Sequence, residues 1–557
     1  MTEITRRNLL SAVPHGAVAM ALAPVSLSAQ PMPTSASSAS RSLLERAEQL
    51  KPRLNEFVQT PLGLVSPVKD AAQALGWRIE KAGGADAIAS RLLKKKGDTL
   101  IIDFGGHRAG HLSFDIESIG EAIGAPVRLR FTFGEVIPDI AEPFYPYKGW
   151  LSESWLPEEV VTIDIVPSSV RLPRRYAFRF VKIELLGLPV GRKIAFRNIR
   201  AHALTSATGT VPPLPKRLPA DLHEMDRVAA ATLRDCMQTV FEDGPRRDQR
   251  LWTGDLRLQA LTSYVTFPNN DLVKRCLYLL AAFPREDGLL PANVFEYPRP
   301  MQAPEFMMDY SALFAVTLAD YVAATNDVAF GLELWNAALR QVRLVGEMIG
   351  EDGEISLPKG ILTFVDWNPQ LDRNAALHAI YIYALKHVMA LAEKLGHPAD
   401  VSDFPDKIAR AEAAAIKAFW SPELKLFVSG SKRQISMASQ AWMTLAGVGT
   451  HKMQSAALLN ALRHPDVVQS RTPYLTHYVT EALFVAGHNS EALKMMRAYW
   501  GGMLKAGADT FWEAYAPDNP RVAPYNDFHV NSFCHAWSCT PSYLLRKYAR
   551  PILASTT

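Results

Sequence analysis

The 557-residue chain is short of cysteine, of net charge and of long apolar runs. Four cysteines are too few for a disulfide-stapled scaffold, and their spacings match no zinc site. Cys236 and Cys276 fall on helical patterns and read as buried thiols. Cys534 and Cys539 stand five apart beside an aromatic cluster, which leaves a bridge between them open. Lysine plus arginine is 60 against 56 aspartate plus glutamate, a net charge of only +4. The longest basic run, Lys94-Lys95-Lys96, is cut at once by Gly97-Asp98 and reads as a solvated turn, not a nucleic-acid patch. Beyond the first thirty residues no apolar run reaches the roughly 18 residues of a membrane span. Neither a Walker loop nor a dinucleotide fingerprint is present, and no cofactor or metal is expected. What remains, 48% hydrophobic and 21% charged, is globular, with length for two or three domains.

The first 29 residues read as an address. Arg6-Arg7-Asn8-Leu9-Leu10 precedes a mostly apolar stretch from Ala17 to Leu27, and Ser28-Ala29 offers small residues for cleavage. That order is a signal peptide of twin-arginine type, and the expected compartment is the bacterial periplasm. Residues 30–55, opening on Pro, Ser and Ala, read as a tether.

Residues 56–209 read as a β-domain, and from about 98 to 203 the pattern has period two. Thr99–Phe104, Val127–Phe133, Val160–Val166 and Tyr176–Leu185 are strand candidates punctuated by Gly and Pro, which predicts a β-sandwich. In the last of these the apolar parity moves from Tyr176 and Phe178 to Val181, Ile183 and Leu185, so a bulge is expected near Phe180. Residues 210–219, with four prolines, form a linker. From 220 to 550 the period turns helical, with twelve candidates: 222–240, 256–267, 271–283, 306–325, 328–349, 371–396, 403–420, 436–448, 451–463, 473–487, 489–506 and 541–549. Twelve helices make six hairpins, which can close into an (α/α)6 toroid. Candidates apolar on most faces, such as 436–448 and 473–487, suit its inner ring. The expected fold is thus multidomain α and β: an N-terminal β-sandwich, then a toroid.

One loop within the helical half gathers acids. Asp243-Gly244-Pro245-Arg246-Arg247-Asp248-Gln249-Arg250-Leu251-Trp252-Thr253-Gly254-Asp255 has no helical or strand period and packs aspartates and arginines against one Trp. Close carboxylates raise one another's pKa while arginines lower them, so such a loop can hold one acid protonated and another ionised, as general-acid chemistry at a glycosidic oxygen requires. An exposed loop of Arg–Asp pairs has the same composition. Two further acid–aromatic segments are Asp366-Trp367 and Trp512-Glu513. An aromatic face beside carboxylates suits a sugar, whose apolar face stacks while its hydroxyls meet the acids.

Together these segments resemble the α-L-rhamnosidases of glycoside hydrolase family 78, an inverting six-hairpin family. Their loop reads approximately Asp-Cys-Pro-x-Arg-Glu-Arg-x-Gly-Trp-Thr-Gly-Asp, matched at the same length by Asp243–Asp255. The family's late Trp-Glu pair matches Trp512-Glu513, and its closing Cys-His-Gly/Ala-Trp-Ser matches Cys534-His535-Ala536-Trp537-Ser538. The resemblance implies Asp248 as catalytic acid and Glu513 as base. Asp243, Arg247, Trp252, Asp255, Asp366, Trp367, Trp512 and His535 are implied to bind the sugar. The chain departs from the family with Asp248 for Glu, Gly244 for Cys and Leu251 for Gly. Aligned to loops one residue longer, Gln249 would hold the acid's place. The usual C-terminal β-domain has no counterpart after Tyr548. The expected activity is release of terminal α-L-rhamnose from a glycan or glycoside, the partner being carbohydrate. Two alternatives stand beside it: a six-hairpin hydrolase or lyase acting on a uronate-containing polysaccharide held by Arg246, Arg247 and Arg250, and a non-catalytic carbohydrate-binding protein.

Overall fold

A computed structural model describes residues 38–350 and 353–556. The signal peptide expected over 1–29 lies outside the described residues, as do the first residues of the expected tether. The rest of that tether is ordered. Ser38–Gln49 is a helix (α1), because Leu43, Leu44, Ala47 and Leu50 recur at helical spacing and pack on the main helical core. The buried Arg275 guanidinium donates to the Ala47 carbonyl and ties α1 to the toroid. Asn55–Gln59 already belongs to the sheet.

Nine strands follow: β1 (Asn55–Gln59), β2 (Gly63–Lys69), β3 (Trp77–Gly84), β4 (Thr99–Ser118), β5 (Val127–Gly134), β6 (Glu158–Ile163), β7 (Ser168–Arg171), β8 (Tyr176–Gly187) and β9 (Ile194–Thr205). The long β4 is the spine. Its first part pairs with β2 and β8, its second with β7 and β9, so one antiparallel sheet folds over on itself. The core between the layers is aromatic: Phe114 of β4 stacks on Phe131 of β5 at 5.3 Å and meets Phe196 of β9 edge-on at 5.5 Å. The irregularity expected near Phe180 falls on its partner strand. Asp103 pairs with Phe180 and Arg108 with Phe178, so Phe104–His107 loop out, with Gly105 at φ +79°. That excursion carries His107 into the helical domain. Two short helices, α2 (Ala87–Ser90) and α3 (Ile137–Ala141), complete the β-domain.

The toroid comprises α4 (Ala220–Cys236), α5 (Thr253–Ser263), α6 (Asn270–Ala281), α7 (Met308–Thr325), α8 (Val328–Glu347), α9 (Asn374–Leu395), α10 (Phe404–Phe419), α11 (Met437–Leu445), α12 (His451–Arg463), α13 (Pro473–Val485), α14 (Asn489–Lys505), α15 (Pro541–Lys547) and α16 (Ala549–Thr556). Each of the twelve sequence-derived helices has a counterpart. The last is split at Tyr548 into α15 and α16. Thr540 stands at the N-cap of α15, but its hydroxyl makes no capping bond.

Successive inner helices α5, α7, α9, α11 and α13 pack side by side, and the 536–538 turn closes the ring between α13 and α5. Every residue of α5 is buried, whereas the outer helix α10 buries only Phe404, Ile408, Ala415 and Phe419. An outer helix needs only one apolar stripe, whereas α5, covered on both sides, also buries polar side chains whose hydrogen bonds are met inside the ring, as by Arg257 with Asp320, Tyr478 and Tyr383. Cover on both sides also explains α9, which has the length and apolarity of a membrane span yet is largely enclosed by its neighbours in the ring. The N-terminal ends of α5 and α7 and the loops entering α9 and α15 converge on one end of the ring. Truncation of Phe114 to Ala removes the ring that joins both layers of the β-domain. It is expected to cost about 3–5 kcal/mol, read as a lowered urea midpoint.

Candidate active site

The acid loop joins α4 to α5. Asp243 N–H bonds the Arg250 carbonyl and Asp243 Oδ1 accepts from Arg250 N, both at 3.0 Å, which pinches the loop into a closed turn. At its tip Gln249 adopts φ +52°, and its side-chain amide donates to the Pro245 carbonyl at 2.8 Å. Gln249 is thus turned to the loop's own backbone, and Asp248 is the residue that lines a cavity. The Gly in place of Cys at 244 has a steric reason. A Cβ there would stand 2.8 Å from Ser532 Oγ and 3.0 Å from the Cys534 carbonyl, so Gly244 lets the 532–534 segment close over the loop.

The cavity, of about 420 Å³ of empty volume including its mouth, is lined by Asp243, Asp248, Trp252, Asp255, Met307, Tyr310, Phe364, Trp367, Glu513, Tyr525, His535 and Trp537. Residues 243 to 255 and 513 to 537 thereby meet across one space. Trp537 stacks on Phe364 at 5.6 Å and lies 4.2 Å from the His535 ring, giving one wall a continuous aromatic face. Tyr310 can approach because residue 254 is Gly: a Cβ there would stand 2.5 Å from the phenol ring. The Phe364–Trp367 loop is pinned by Asp309, whose carboxylate accepts the N–H groups of Phe364 and Val365 at 3.0–3.2 Å and holds Val365 at φ +57°.

Burial divides the polar groups of the cavity. Asp243 is pushed well above the usual carboxylate range, first by burial and then by the charges of Asp248 and Asp255. Burial, then Glu513, do the same to Asp255. His535 is driven well below its ordinary value by burial and by the Arg247 charge, so it is a neutral imidazole. Asp255 Oδ1 and His535 Nδ1, 3.5 Å apart, are buried and make no hydrogen bond within the protein. Unpartnered polar atoms on a carboxyl driven toward its neutral form and on a neutral imidazole are what sugar hydroxyls, each donor and acceptor, would satisfy.

Glu513 is held differently. Arg247 Nη2 donates to both of its oxygens at 2.8 and 2.7 Å, Ser532 N donates to Oε2 at 3.1 Å, and the Tyr525 hydroxyl donates to Oε1. The same guanidinium approaches Asp248, with Nη1 3.6 Å from Oδ1, and the Tyr525 ring lies 4.4 Å from its centre. Arg246 and Arg247 are thereby spent on internal carboxylates, and Arg250 lies over the Phe295 ring at 4.1 Å with Nη2 4.0 Å from Asp248. The cluster of free arginines on which a uronate site rested is therefore absent from the cavity.

Three expected sugar-binding residues stand elsewhere, the first being Arg247, which is spent on Glu513 and does not line the cavity. Asp366 points away from the cavity: its carboxylate accepts from Arg471 N, Thr472 N and Thr472 Oγ1 at 2.6–3.0 Å and ties the Trp367 loop to the start of α13. Trp512, only 1% exposed, packs edge-on against Tyr515 and Phe533 and is a core residue. In each pair one member faces the cavity and its neighbour faces inward, because adjacent side chains of an extended segment alternate. Tyr310, Phe364, Tyr525 and Trp537 were not singled out from sequence. Only Trp537 had a signal, its place beside His535 in the Cys-His-Ala-Trp-Ser stretch.

The four cysteines are free and buried, so Cys534 and Cys539 are not bridged; the Cys534 sulfur lies 3.9 Å from that of Cys236. Among the described residues His107, Asp235 and Cys534 form a group of metal-ligating types. Both His107 nitrogens already bond carboxylates, Asp235 at 2.7 Å and Glu135 at 2.9 Å, and the group reads as a charged contact between domains.

A helical toroid whose inner-helix N-termini open on an acid-lined, aromatic-walled cavity defines a six-hairpin glycosidase. Residues 61–203 match the glycosyl hydrolase family 78 α-rhamnosidase N-terminal domain, and residues 219–549 match the bacterial α-L-rhamnosidase 6 hairpin glycosidase domain. Among solved structures, a rhamnosidase from Klebsiella oxytoca with rhamnose bound is 41% identical over 91% of this chain and 99% of its own, with a TM-score of 0.88. Two more share the fold: a family 78 rhamnosidase of Bacillus sp. GL1 (22% identity, 84% of this chain and 49% of that one, TM-score 0.71) and a Streptomyces avermitilis α-L-rhamnosidase complexed with L-rhamnose (15%, 90% and 44%, 0.64). Comparison with curated proteins returned no match. The chain belongs to glycoside hydrolase family 78, the α-L-rhamnosidases, and is a glycoside hydrolase.

The carboxyl of Asp366, taken out of water, is pushed up to about 6 despite its three donors. A carboxyl raised in the folded state contributes stability fully below about pH 4 and loses it as pH rises through about 6. The unfolding free energy of the wild type minus that of Asp366→Asn is expected to fall by up to about 3 kcal/mol between pH 4 and 7. A difference that stays flat in urea titrations would show that this carboxyl titrates normally.

Proposed function

We propose that the enzyme releases terminal α-L-rhamnose with inversion, Asp248 protonating the leaving oxygen and Glu513 activating water on the opposite face of the ring. The observation that carries this reading is Arg247: one guanidinium lies between the two carboxylates, which line a single cavity from remote parts of the chain. Inverting enzymes hold the two carboxyls about 6.5–9.5 Å apart, which leaves room for the water. Both oxygens of Glu513 accept two hydrogen bonds, so the attacking water takes the position of the Tyr525 hydroxyl on Oε1. Asp243, Asp255 and His535 bind the hydroxyls, and Trp252 and Trp367 stack. Rhamnose carries a methyl group where other hexoses carry a hydroxymethyl, and the apolar wall of Met307, Phe364 and Trp537 suits it. The proposed place of action is the periplasm, from the Arg6-Arg7 signal.

The wild type is expected to hydrolyse 4-nitrophenyl α-L-rhamnoside, with β-L-rhamnose as the first anomer in proton NMR. Asp248→Asn and Glu513→Gln are each expected to lower kcat by about 10³-fold or more. Near-wild-type turnover in both variants, or the α-anomer as first product, would sink the assignment.

A further inference from the structure

We propose that Glu135 of the β-domain, with Asp139, is a positioning residue for Glu513, so that the two domains build one active site. The inference rests on the reading of Glu513 as base.

Glu513 is held by two donors from different segments, Arg247 of the acid loop and the Ser532 N–H of the 528–535 segment. Glu135, just after β5 and 3% exposed, grips the residue next to each. Its Oε2 accepts from Arg246 Nη1 at 3.0 Å and from Phe533 N at 2.7 Å. In each pair of neighbours, one donates to Glu513 and the other to Glu135. The two segments are therefore clamped between two carboxylates: Glu513 faces the cavity, and Glu135 faces the β-domain behind it.

The clamp is braced on every side. Asp139, in α3, takes Arg246 in a fork, Nη1 to Oδ2 at 2.8 Å and Nη2 to Oδ1 at 3.1 Å. Arg246 Nη2 also donates to the His529 carbonyl at 2.6 Å, as Arg247 Nε does to Val530 at 2.8 Å, so consecutive arginines stitch the acid loop to consecutive carbonyls of the short 3-10 turn Phe528–Val530. His107, on the excursion of β4, holds the other oxygen of Glu135 at 2.9 Å and reaches Asp235 at the end of α4. Burial alone would push Asp139 up, yet Arg246 and His529 bring it down to about 2, so the fork is ionic throughout the working range. A buried ionic fork is a poor device for stability, since desolvation offsets most of its attraction, but it fixes geometry well. Here it fixes the two backbones that carry the cradle of Glu513, and a misplacement of about 1 Å at a reacting group costs on the order of 10²-fold in rate.

The test uses the full-length enzyme and the variants Glu135→Gln and Asp139→Asn, with kcat and KM on 4-nitrophenyl α-L-rhamnoside. Folded protein is counted by calorimetric titration with L-rhamnose. The wild type and Glu513→Gln come first: a wild type inert on the rhamnoside would end the functional reading and leave the clamp aside. Given an active wild type, Glu135→Gln is expected to lose about 10- to 100-fold in kcat per folded molecule, with KM changed less than about threefold. Asp139→Asn should lose less, and it decides the matter should Glu135→Gln fail to fold. Sodium azide is a nucleophile that needs no base and should restore much of the lost rate, with rhamnosyl azide as product. A merely structural role would lower the folded fraction and gain nothing from azide. Unchanged kcat per folded molecule, or a loss that azide leaves untouched, overturns the proposal.

Discussion

The site depends on a guanidinium buried among carboxylates. Taking the Arg247 charge out of water is expensive, and that cost is met only because Glu513 takes it through both oxygens while Tyr525 covers its face. Once the cation is fixed there, the rest of the cavity is constrained. Glu513 cannot turn away, Asp248 is held beside the same group, and His535 is kept uncharged by its field as well as by burial.

The cavity thus separates its acids by solvation and partners instead of by residue type. Asp243 and Asp255, deep and without a cation of their own, are driven toward the neutral form. Glu513, equally deep, is given a full set of donors. Under the proposed mechanism this division would let similar side chains bind hydroxyls in one place and handle protons in another. The β-domain enters the same economy through Arg246, whose partners Glu135 and Asp139 lie across the domain boundary.

Much of the architecture was legible because each layer has its own period. Strands of β4, β5 and β8 alternate, and inner helices such as α11 and α13 are apolar on most faces, so the sandwich and the ring could be read locally. The first helix escaped because a short Ser- and Ala-rich start hides an apolar stripe that only docking on the toroid makes useful. Asp366 and Trp512 were misjudged because an acid beside a Trp gives no sign of which of the two faces a cavity. Tyr310 and Tyr525 were missed because a tyrosine on a helix or in a loop looks the same whether it lines a site or fills a core.

Periodicity, a local property of the chain, was enough to determine the order of domains and the kind of helical ring, whereas Asp248 and Glu513 were singled out as acid and base by the resemblance of their motifs to family 78. The tertiary structure decided which side chains share a space: Glu513 and Arg247 lie 266 positions apart, yet they make a two-oxygen salt bridge. It also decided that Asp366 and Trp512 point inward and that carboxylates of the β-domain stand behind the acid loop. Orientation and pairing across such separations follow from how whole layers pack, and no short-range pattern of residues encodes that packing.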